Sequence, residues 1–145
     1  LRDAKNKMSK SDPSNYSRIL LTDTNDDISK KINKAKSDSE NMPSNIDQLK
    51  DRPEINNLIT IYSSIANQTK QSVIDLFSDK EISFFKSELK DIVINLIEPI
   101  SSRIKNIRKD ESLLLSTLDE GTNKARERAS KTIQDINNLM GFRFD

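Results

Sequence analysis

Apolar residues recur at three- and four-residue spacing over most of the chain, which is the spacing of one face of an amphipathic α-helix. Pro99 lies inside the longest such run and removes one backbone hydrogen bond. We therefore predict one long helix that is kinked between about residues 95 and 99. The apolar positions of this run are Ile82, Phe85, Leu89, Ile92, Val93, Leu96, Ile97, Ile100, Ile104 and Ile107.

The start of the chain is polar and irregular. Residues 1–24 carry no helical or alternating apolar pattern before Ser17-Arg18-Ile19-Leu20-Leu21, which predicts a polar loop followed by a short extended piece. Thr24 and Asp27 then form a weaker version of the capping box. They predict a helix over about residues 25–36, because apolar residues follow at helical spacing.

Residues 37–52 form a polar linker, and helical patterns resume behind it. Pro53 suits the first position of a helix, because the N–H that it lacks would have no partner there. The apolar stripe behind it predicts a helix to about residue 67. Ser72 with Asp75 predicts the cap of a further short helix.

Two glycines mark the last part of the chain. Asp110 predicts a cap, and Gly121 should interrupt or bend the helix that follows it. A final apolar pattern ends at Met140, and Gly141 is a natural C-terminal stop. Five or six amphipathic helices without a credible strand ladder predict an all-α helical bundle, preceded by a polar loop.

The aromatic side chains fall mainly on the apolar stripes. We predict that Phe77, Phe84 and Phe85 belong to the core, with stacking on an RNA base as the less favoured alternative. Tyr62 is expected in the core with its hydroxyl at the edge.

Composition removes several classes of chemistry. Of the 145 residues, 2 are glycine and none is cysteine or histidine. The sequence therefore offers no glycine-rich dinucleotide loop or P-loop, no disulfide, no zinc site built from thiolates or imidazoles, and no histidine- or cysteine-based nucleophile. Any chemistry must use Lys, Arg, Ser, Asp and Glu.

Charge and hydropathy bear on partners and location. The 24 Lys and Arg nearly balance the 23 Asp and Glu, so any basic surface must be local. No apolar run approaches the roughly 18 residues that span a bilayer, and the start does not resemble a signal peptide. We expect a soluble intracellular protein without a membrane partner. Because the chain begins with Leu1 in place of Met, we also expect it to be a fragment.

The unusual chemistry lies in Lys7-Met8-Ser9-Lys10-Ser11. Two lysines three positions apart on a polar loop, with hydroxyls beside them, can converge on a polyphosphate. Such a pair can follow negative charge as it moves onto a leaving pyrophosphate, which stabilises a transition state more than a ground state. By composition alone, a solvated lysine-rich terminus is the more common outcome.

The order of these residues resembles the signature loop of class I aminoacyl-tRNA synthetases, and the flanking segments resemble the bacterial type of tryptophanyl-tRNA synthetase. The resemblance covers essentially the entire chain. It rests on Leu1-Arg2-Asp3-Ala4-Lys5-Asn6 before the loop, and on Ser17-Arg18-Ile19, Lys34-Ala35-Lys36-Ser37-Asp38-Ser39, Arg52-Pro53-Glu54-Ile55-Asn56-Asn57-Leu58, Glu98-Pro99-Ile100, Gly121, Lys124-Ala125-Arg126 and Met140-Gly141-Phe142 after it.

The resemblance implies roles for the loop residues. Lys7 and Lys10 would be catalytic, stabilising the triphosphate of ATP while tryptophan attacks the α-phosphate and pyrophosphate leaves. Met8 would anchor the loop by packing, and Ser9 and Ser11 would donate hydrogen bonds near the phosphates. ATP, accompanied by Mg²⁺, and tryptophan would be substrates of the intact enzyme, and no protein metal ligands are expected.

The resemblance also implies an organisation and partners. Residues 1–24 would be the loop and the end of the catalytic domain, and residues 25–145 the helical domain that meets the anticodon arm of tRNA(Trp). The Rossmann-like catalytic half, with its histidine-bearing motif, would be absent, so the chain alone should be inactive. The parent would be a homodimer through that missing half, in the bacterial cytoplasm or alternatively an organellar matrix.

Two basic groups are candidate tRNA contacts. Lys30, Lys31 and Lys34, with Lys36 nearby, make the denser patch, for which RNA and the missing domain are equally good partners. Arg126 and Arg128 could meet tRNA phosphates, although the intervening Glu127 favours an ordinary solvated face.

An interpretation from a different class stays open. The chain could be a non-enzymatic helical module that binds a protein or an RNA, with the Lys/Ser segment as a mere tail. A tyrosyl-type relative is disfavoured, because its loop usually departs from this five-residue spelling.

Overall fold

The computed structural model describes residues 1–4, 9 and 11–142. Throughout these residues the regular structure is helical, without a strand, which confirms the all-α prediction. The α-helices are α1 (Asn25–Asn33), α2 (Pro53–Ala66), α3 (Lys70–Phe77), α4 (Ile82–Lys109) and α5 (Glu111–Met140), and short 3₁₀ helices lie at Asn15–Ser17 and Ile46–Leu49.

Two predicted helix starts are confirmed. The Thr24 hydroxyl accepts a hydrogen bond from the Asp27 amide at 3.1 Å, and the Asp27 carboxylate accepts one from the Thr24 amide at 3.2 Å. This reciprocal pair is a capping box: Thr24 is the N-cap, and α1 begins at the next residue. Pro53 is at the start of α2. Helix α1 ends at Asn33, three residues short of the predicted end at 36, and Lys34 is its C-cap.

Two predicted boundaries are wrong. Thr69, and not Ser72, caps α3: the Thr69 hydroxyl accepts from the Ser72 amide at 3.1 Å, so the helix begins a turn earlier. Helix α5 continues through Gly121, so the predicted interruption is wrong, and the alternative, a bend there, stays a prediction. A single interior glycine costs a helix only about 1 kcal/mol, which the surrounding strong helix formers outweigh. Helix α4 likewise runs through Pro99, and the kink there stays a prediction.

The chain forms two compact units, Leu1–Ser102 and Arg103–Asp145. The core lies in the first unit, where apolar residues of α1, α2, α3 and the first part of α4 are buried together. Aromatic rings join three of these helices: the ring centroids of Tyr62 and Phe77 are 5.2 Å apart, and those of Phe77 and Phe85 are 5.0 Å apart, both edge to face. Such pairs stabilise by about 0.5–1.5 kcal/mol beyond the burial of their area.

Phe84 is a correction to the predicted core. Its side chain is 46% exposed, whereas Phe77 and Phe85 are buried as predicted. Phe84 and Phe85 are neighbours on one helix and point about 100° apart, so only one of them can face the centre of the unit. The ammonium of Lys80 lies 5.0 Å from the Phe84 ring centroid, in cation–π contact.

The polar linker over residues 37–52 is closed by hydrogen bonds between its own ends and is bonded to Lys80 in the loop before α4. Arg52 donates through Nε to Asp38 Oδ2 at 2.8 Å and through Nη2 to Asp38 Oδ1 at 2.6 Å. Its Nη1 also donates to the carbonyl of Asn41 at 2.9 Å, and the Met42 amide donates to the Lys80 carbonyl at 2.9 Å. The linker is therefore an ordered loop with hydrogen bonds at both of its ends.

The second unit contains the end of α4 and the whole of α5. Asp110 accepts from the Leu113 amide at 2.9 Å and caps this helix as predicted. Gly141 ends it with a φ of 75°, the left-handed conformation that favours glycine. None of the residues of α5 is buried, so its apolar stripe is not part of a core within the described chain. The functional division at residue 24 differs from these units and stays a prediction.

Candidate functional site

The predicted phosphate-binding segment, residues 7–11, is represented in the structure by its two serines. Lys7, Met8 and Lys10 lie outside the described residues. Ser9 and Ser11 are both exposed. The Ser9 carbonyl accepts from the Asp12 amide at 3.3 Å, and the Ser9 hydroxyl accepts from the Ser11 amide at 3.2 Å. Ser9 therefore begins a tight turn that closes on Asp12.

A second turn follows directly. The Asp12 carboxylate accepts from the Ser14 amide at 2.7 Å, and the Ser14 hydroxyl accepts from the Tyr16 amide at 3.3 Å, which caps the 3₁₀ helix Asn15–Ser17. Short polar side chains bond their own backbone two residues on in this way, which explains the use of Ser and Asp here. Ser9 and residues 11–17 begin within the segment and continue beyond it, and we call them the far arm.

Arg18 fastens the far arm. Its Nη1 donates to the Asp12 carbonyl at 2.9 Å and lies 3.4 Å from the Ser14 carbonyl, while its Nη2 donates to Asn15 Oδ1 at 3.2 Å. The backbone of Arg18 is extended, as predicted for the piece that follows the loop. Sequence reasoning gave Arg18 no role beyond its place in a resembling motif, because its acceptors are mainly backbone carbonyls, which leave no mark in the side-chain pattern.

The residues before the segment, Leu1–Ala4, form its near arm, which is bonded to the end of α1. The Leu1 carbonyl accepts from the Lys36 amide at 3.0 Å. Arg2 Nη1 donates to the Lys34 carbonyl at 3.0 Å. Carbonyls at the C-terminus of a helix have no partner within the helix, and a guanidinium nearby also interacts well with the helix dipole.

The two arms line one cavity of about 570 Å³ in the first unit. Arg2, Asp3, Ser9, Asp12 and Arg18 supply its polar part. The apolar part comes from α2 and α4, through Ile61, Ile65, Val93, Leu96 and Ile97, together with Ile19. Ser9 of the phosphate-binding segment and Arg18 therefore line the same cavity.

The candidate tRNA contacts on α1 do not share one environment. Lys30 and Lys34 are exposed, and the Lys34 ammonium lies 4.6 Å from the ring centroid of Tyr16. Lys31 is 6% exposed, and its ammonium pairs with the carboxylate of Asp23, whose side chain is also buried. A buried ammonium needs such a carboxylate partner, so Lys31 is not available to RNA in this structure.

The three other predicted cations are Lys36, Arg126 and Arg128. Lys36 is exposed and pairs with Glu54 at 2.7 Å, and this hydrogen bond raises the pKa of Lys36. Arg126 and Arg128 are exposed on α5, in the second unit. The structure thus places the predicted basic residues in two groups on separate units, with Lys30 and Lys34 in one and the two arginines in the other.

Residues 1–4, 9 and 11–142 contain no group of three or more carboxylates that could hold a metal ion. None of the helices described there has the length and apolar character required to cross a bilayer.

Comparison with known proteins identifies the class. The profile of tRNA synthetases class I (W and Y) matches residues 1–98. The chain therefore belongs to this family.

Individual relatives point to one member of the family. The tryptophan–tRNA ligases of Rhizobium meliloti (strain 1021) and Rickettsia conorii are each 42% identical over 142 residues, which is 98% of this chain. Tryptophanyl-tRNA synthetase from Mycoplasma pneumoniae has a similar structure, with a TM-score of 0.75, 25% identity and coverage of 99% of this chain and 45% of that chain. The chain spans 40% and 42% of the length of the two ligases. The resemblance drawn from the sequence is confirmed.

Proposed function

We propose that this chain is the C-terminal part of a tryptophan–tRNA ligase, which activates tryptophan with ATP and transfers it to tRNA(Trp). The observation that carries the proposal is the 42% identity to such ligases over 98% of the chain, including the segment Lys7-Met8-Ser9-Lys10-Ser11. In this proposal, Lys7 and Lys10 stabilise the charge that develops on pyrophosphate, and Ser9 and Ser11 bind near the phosphates. In the same proposal, Met8 would anchor the loop by packing.

The remaining partners follow from the same proposal. Mg²⁺ arrives with the triphosphate, as is usual where substrate phosphates supply its ligands. The parent is a homodimer through the half that this chain does not contain, and it acts in the bacterial cytoplasm or in an organellar matrix. Residues 1–24 end the catalytic domain, and residues 25–145 meet the anticodon arm.

For the tRNA surface we propose Lys30 and Lys34 on α1, and Arg126 and Arg128 on α5, since all four are exposed. Replacing Lys30 and Lys34 together by Ala should weaken tRNA binding. The slope of log K against log salt should become shallower by about one to two, because each lost phosphate contact lowers its magnitude by a little under one. Lys50→Ala is the matched control, because Lys50 is exposed and belongs to a different segment. An unchanged slope in the double variant would remove α1 from the RNA surface.

The central test is ATP–pyrophosphate exchange with tryptophan, comparing this chain alone with the chain joined to its natural N-terminal part, which we call the rejoined protein. Exchange should occur only in the rejoined protein. Lys10→Ala should lower its rate by several tens of fold, because one charge-assisted phosphate contact is lost and a tenfold loss corresponds to about 1.4 kcal/mol. Lys50→Ala should leave the rate unchanged.

Two results would contradict the proposal. Wild-type exchange in Lys10→Ala would remove the assigned role of that lysine. Failure of the folded rejoined protein to exchange with any amino acid would favour the alternative, a non-enzymatic helical module that binds protein or RNA.

A further inference from the structure

Arg18 donates three hydrogen bonds to one short loop, two to backbone carbonyls and one to a side-chain oxygen. It reaches the Asp12 carbonyl at 2.9 Å, the Ser14 carbonyl at 3.4 Å and the Asn15 side-chain oxygen at 3.2 Å. Arginine is suited to this task, since its planar fork offers several donors in fixed directions and stays charged.

The loop that Arg18 bonds includes the end of the phosphate-binding segment. Asp12 presents its carbonyl to Arg18 and its amide to the Ser9 carbonyl, the latter at 3.3 Å. Two hydrogen bonds therefore separate the guanidinium from Ser9. The Asp12 carboxylate, which accepts from the Ser14 amide at 2.7 Å, closes the next turn of the same loop.

The residues just before Arg18, Tyr16 and Ser17, contact the packed part of the first unit. Ser17, the neighbour of Arg18, is buried, and its hydroxyl donates to the Ser14 carbonyl at 2.8 Å. Tyr16 contacts the Lys34 ammonium at the end of α1. Arg18 therefore connects the packed residues around Ser17 to the exposed turn that contains Ser9 and Asp12.

We propose that Arg18 is a positioning residue for the described end of the phosphate-binding segment: it holds the Asp12 carbonyl, and the Asp12 amide in turn bonds the Ser9 carbonyl, so that Arg18 fixes how Ser9 and Ser11 are presented to the triphosphate. The inference rests on the proposed function and deepens it. A displacement of about 1 Å at a reacting group can cost up to a hundredfold in rate, so loss of the guanidinium should act on activation without unfolding the unit.

The variants are Arg18→Met, which keeps the length of the side chain and removes all of its donors, and Arg18→Lys, which keeps the charge but not the fork. Arg103→Met is the matched control, because Arg103 is exposed on α4. All are made in the rejoined protein. Rates of ATP–pyrophosphate exchange are expressed per titrated active site, so that misfolded molecules do not enter the comparison.

Arg18→Met should lower kcat for exchange by about ten- to a hundredfold, with the KM for tryptophan unchanged within about twofold. Arg18→Lys should recover part of the loss. Transfer of tryptophan from a preformed adenylate to tRNA should stay at the wild-type rate, because pyrophosphate has already left. Arg103→Met should match wild type in every step.

Three outcomes would overturn the inference. Exchange in Arg18→Met at the rate of Arg103→Met would show that the turn needs no guanidinium. Equal losses in exchange and transfer would show a general structural role. Absence of exchange in the wild-type rejoined protein would overturn the proposed function itself, and this outcome is recognised before any Arg18 variant is compared.

Discussion

The ion pair between Arg52 and Asp38 should stabilise the first unit measurably, and its contribution should disappear in acid. Both guanidinium contacts to the carboxylate are short, at 2.6 and 2.8 Å, and the two side chains are 11% and 34% exposed. The pair joins the first residues of the linker to the residue that precedes α2, so it closes a loop as well as pairing two charges.

The magnitude follows from the contacts. Hydrogen bonds to charged groups contribute about 1.5–3 kcal/mol, and the partial exposure of Asp38 reduces this to about 1–2 kcal/mol for the coupling between the two side chains. Arg52→Met also removes the hydrogen bond to the Asn41 carbonyl, worth about 1 kcal/mol. The single variant should therefore lose about 2–3 kcal/mol in the free energy of unfolding.

The sign of the pH dependence follows from the pKa of Asp38. The hydrogen bonds from Arg52 lower this pKa in the folded state. The native state therefore holds fewer protons than the unfolded state, whose aspartate titrates near about 3.9, and the contribution is fully present above that pH. It is lost as the pH falls below about 4 and through the folded-state pKa, so the difference in stability between wild type and Arg52→Met should shrink to the contribution of the Asn41 hydrogen bond, about 1 kcal/mol.

The assay is urea unfolding followed by tyrosine fluorescence. The chain has 2 tyrosines and no tryptophan, and both tyrosines, Tyr16 and Tyr62, lie in the first unit. The signal therefore reports the unit that contains the ion pair. A double-mutant cycle over Arg52→Met and Asp38→Asn gives the coupling energy, with Lys50→Ala as a control at an exposed pair that should change stability by less than about 0.5 kcal/mol.

A coupling energy below about 0.3 kcal/mol at pH 7 would refute the reasoning, since that is the level at which independent sites add. A coupling of the expected size that persists unchanged in acid would refute the electrostatic part, and would assign the effect to packing of the long Arg52 side chain.

Three further changes test local features of the fold. Thr24→Ala removes the hydroxyl that accepts from the Asp27 amide, whereas the backbone amide of residue 24 can still donate to the Asp27 carboxylate, and it should cost the first unit about 1 kcal/mol, read by the same urea assay. Gly121→Ala should raise helicity and thermal stability by about 1 kcal/mol, since a Cβ there meets nothing within 4 Å, whereas Gly141→Ala should not, because φ there is 75°. Ser101→Ala should stabilise the first unit, as the Ser101 hydroxyl is buried without a hydrogen-bond partner in the described chain, and a loss of stability would reveal a partner for it.

The helices could be predicted from the sequence because their signals are local. Period, cap and proline placement are set by residues within a few positions of one another, as at Thr24 and Pro53. The errors arose where two local signals compete. At α3, both Thr69 and Ser72 are good caps, and the choice of Thr69 adds a turn that places Val73 in the core.

Contacts between distant residues left no such signal. The pair of Arg52 with Asp38 crosses 14 positions, and each residue by itself is an ordinary surface charge. Arg18 was likewise unremarkable, since backbone carbonyls are present at every position and the sequence does not show which of them a guanidinium will meet. The phosphate-binding role of residues 7–11 could be predicted because those residues are consecutive, and it stays a prediction, whereas the contacts that Arg18 makes could not be predicted.

The lysines of α1 show why a basic run overstates a binding surface. Lys30 and Lys31 are adjacent, so an α-helix directs them about 100° apart, and they cannot both belong to one narrow face. Lys31 falls on the side of the buried Ile28 and Ile32 and stays paired with Asp23. Lys30 and Lys34, four positions apart, lie on the same face and are exposed. Of the three lysines predicted as tRNA contacts there, these two are exposed and Lys31 is buried.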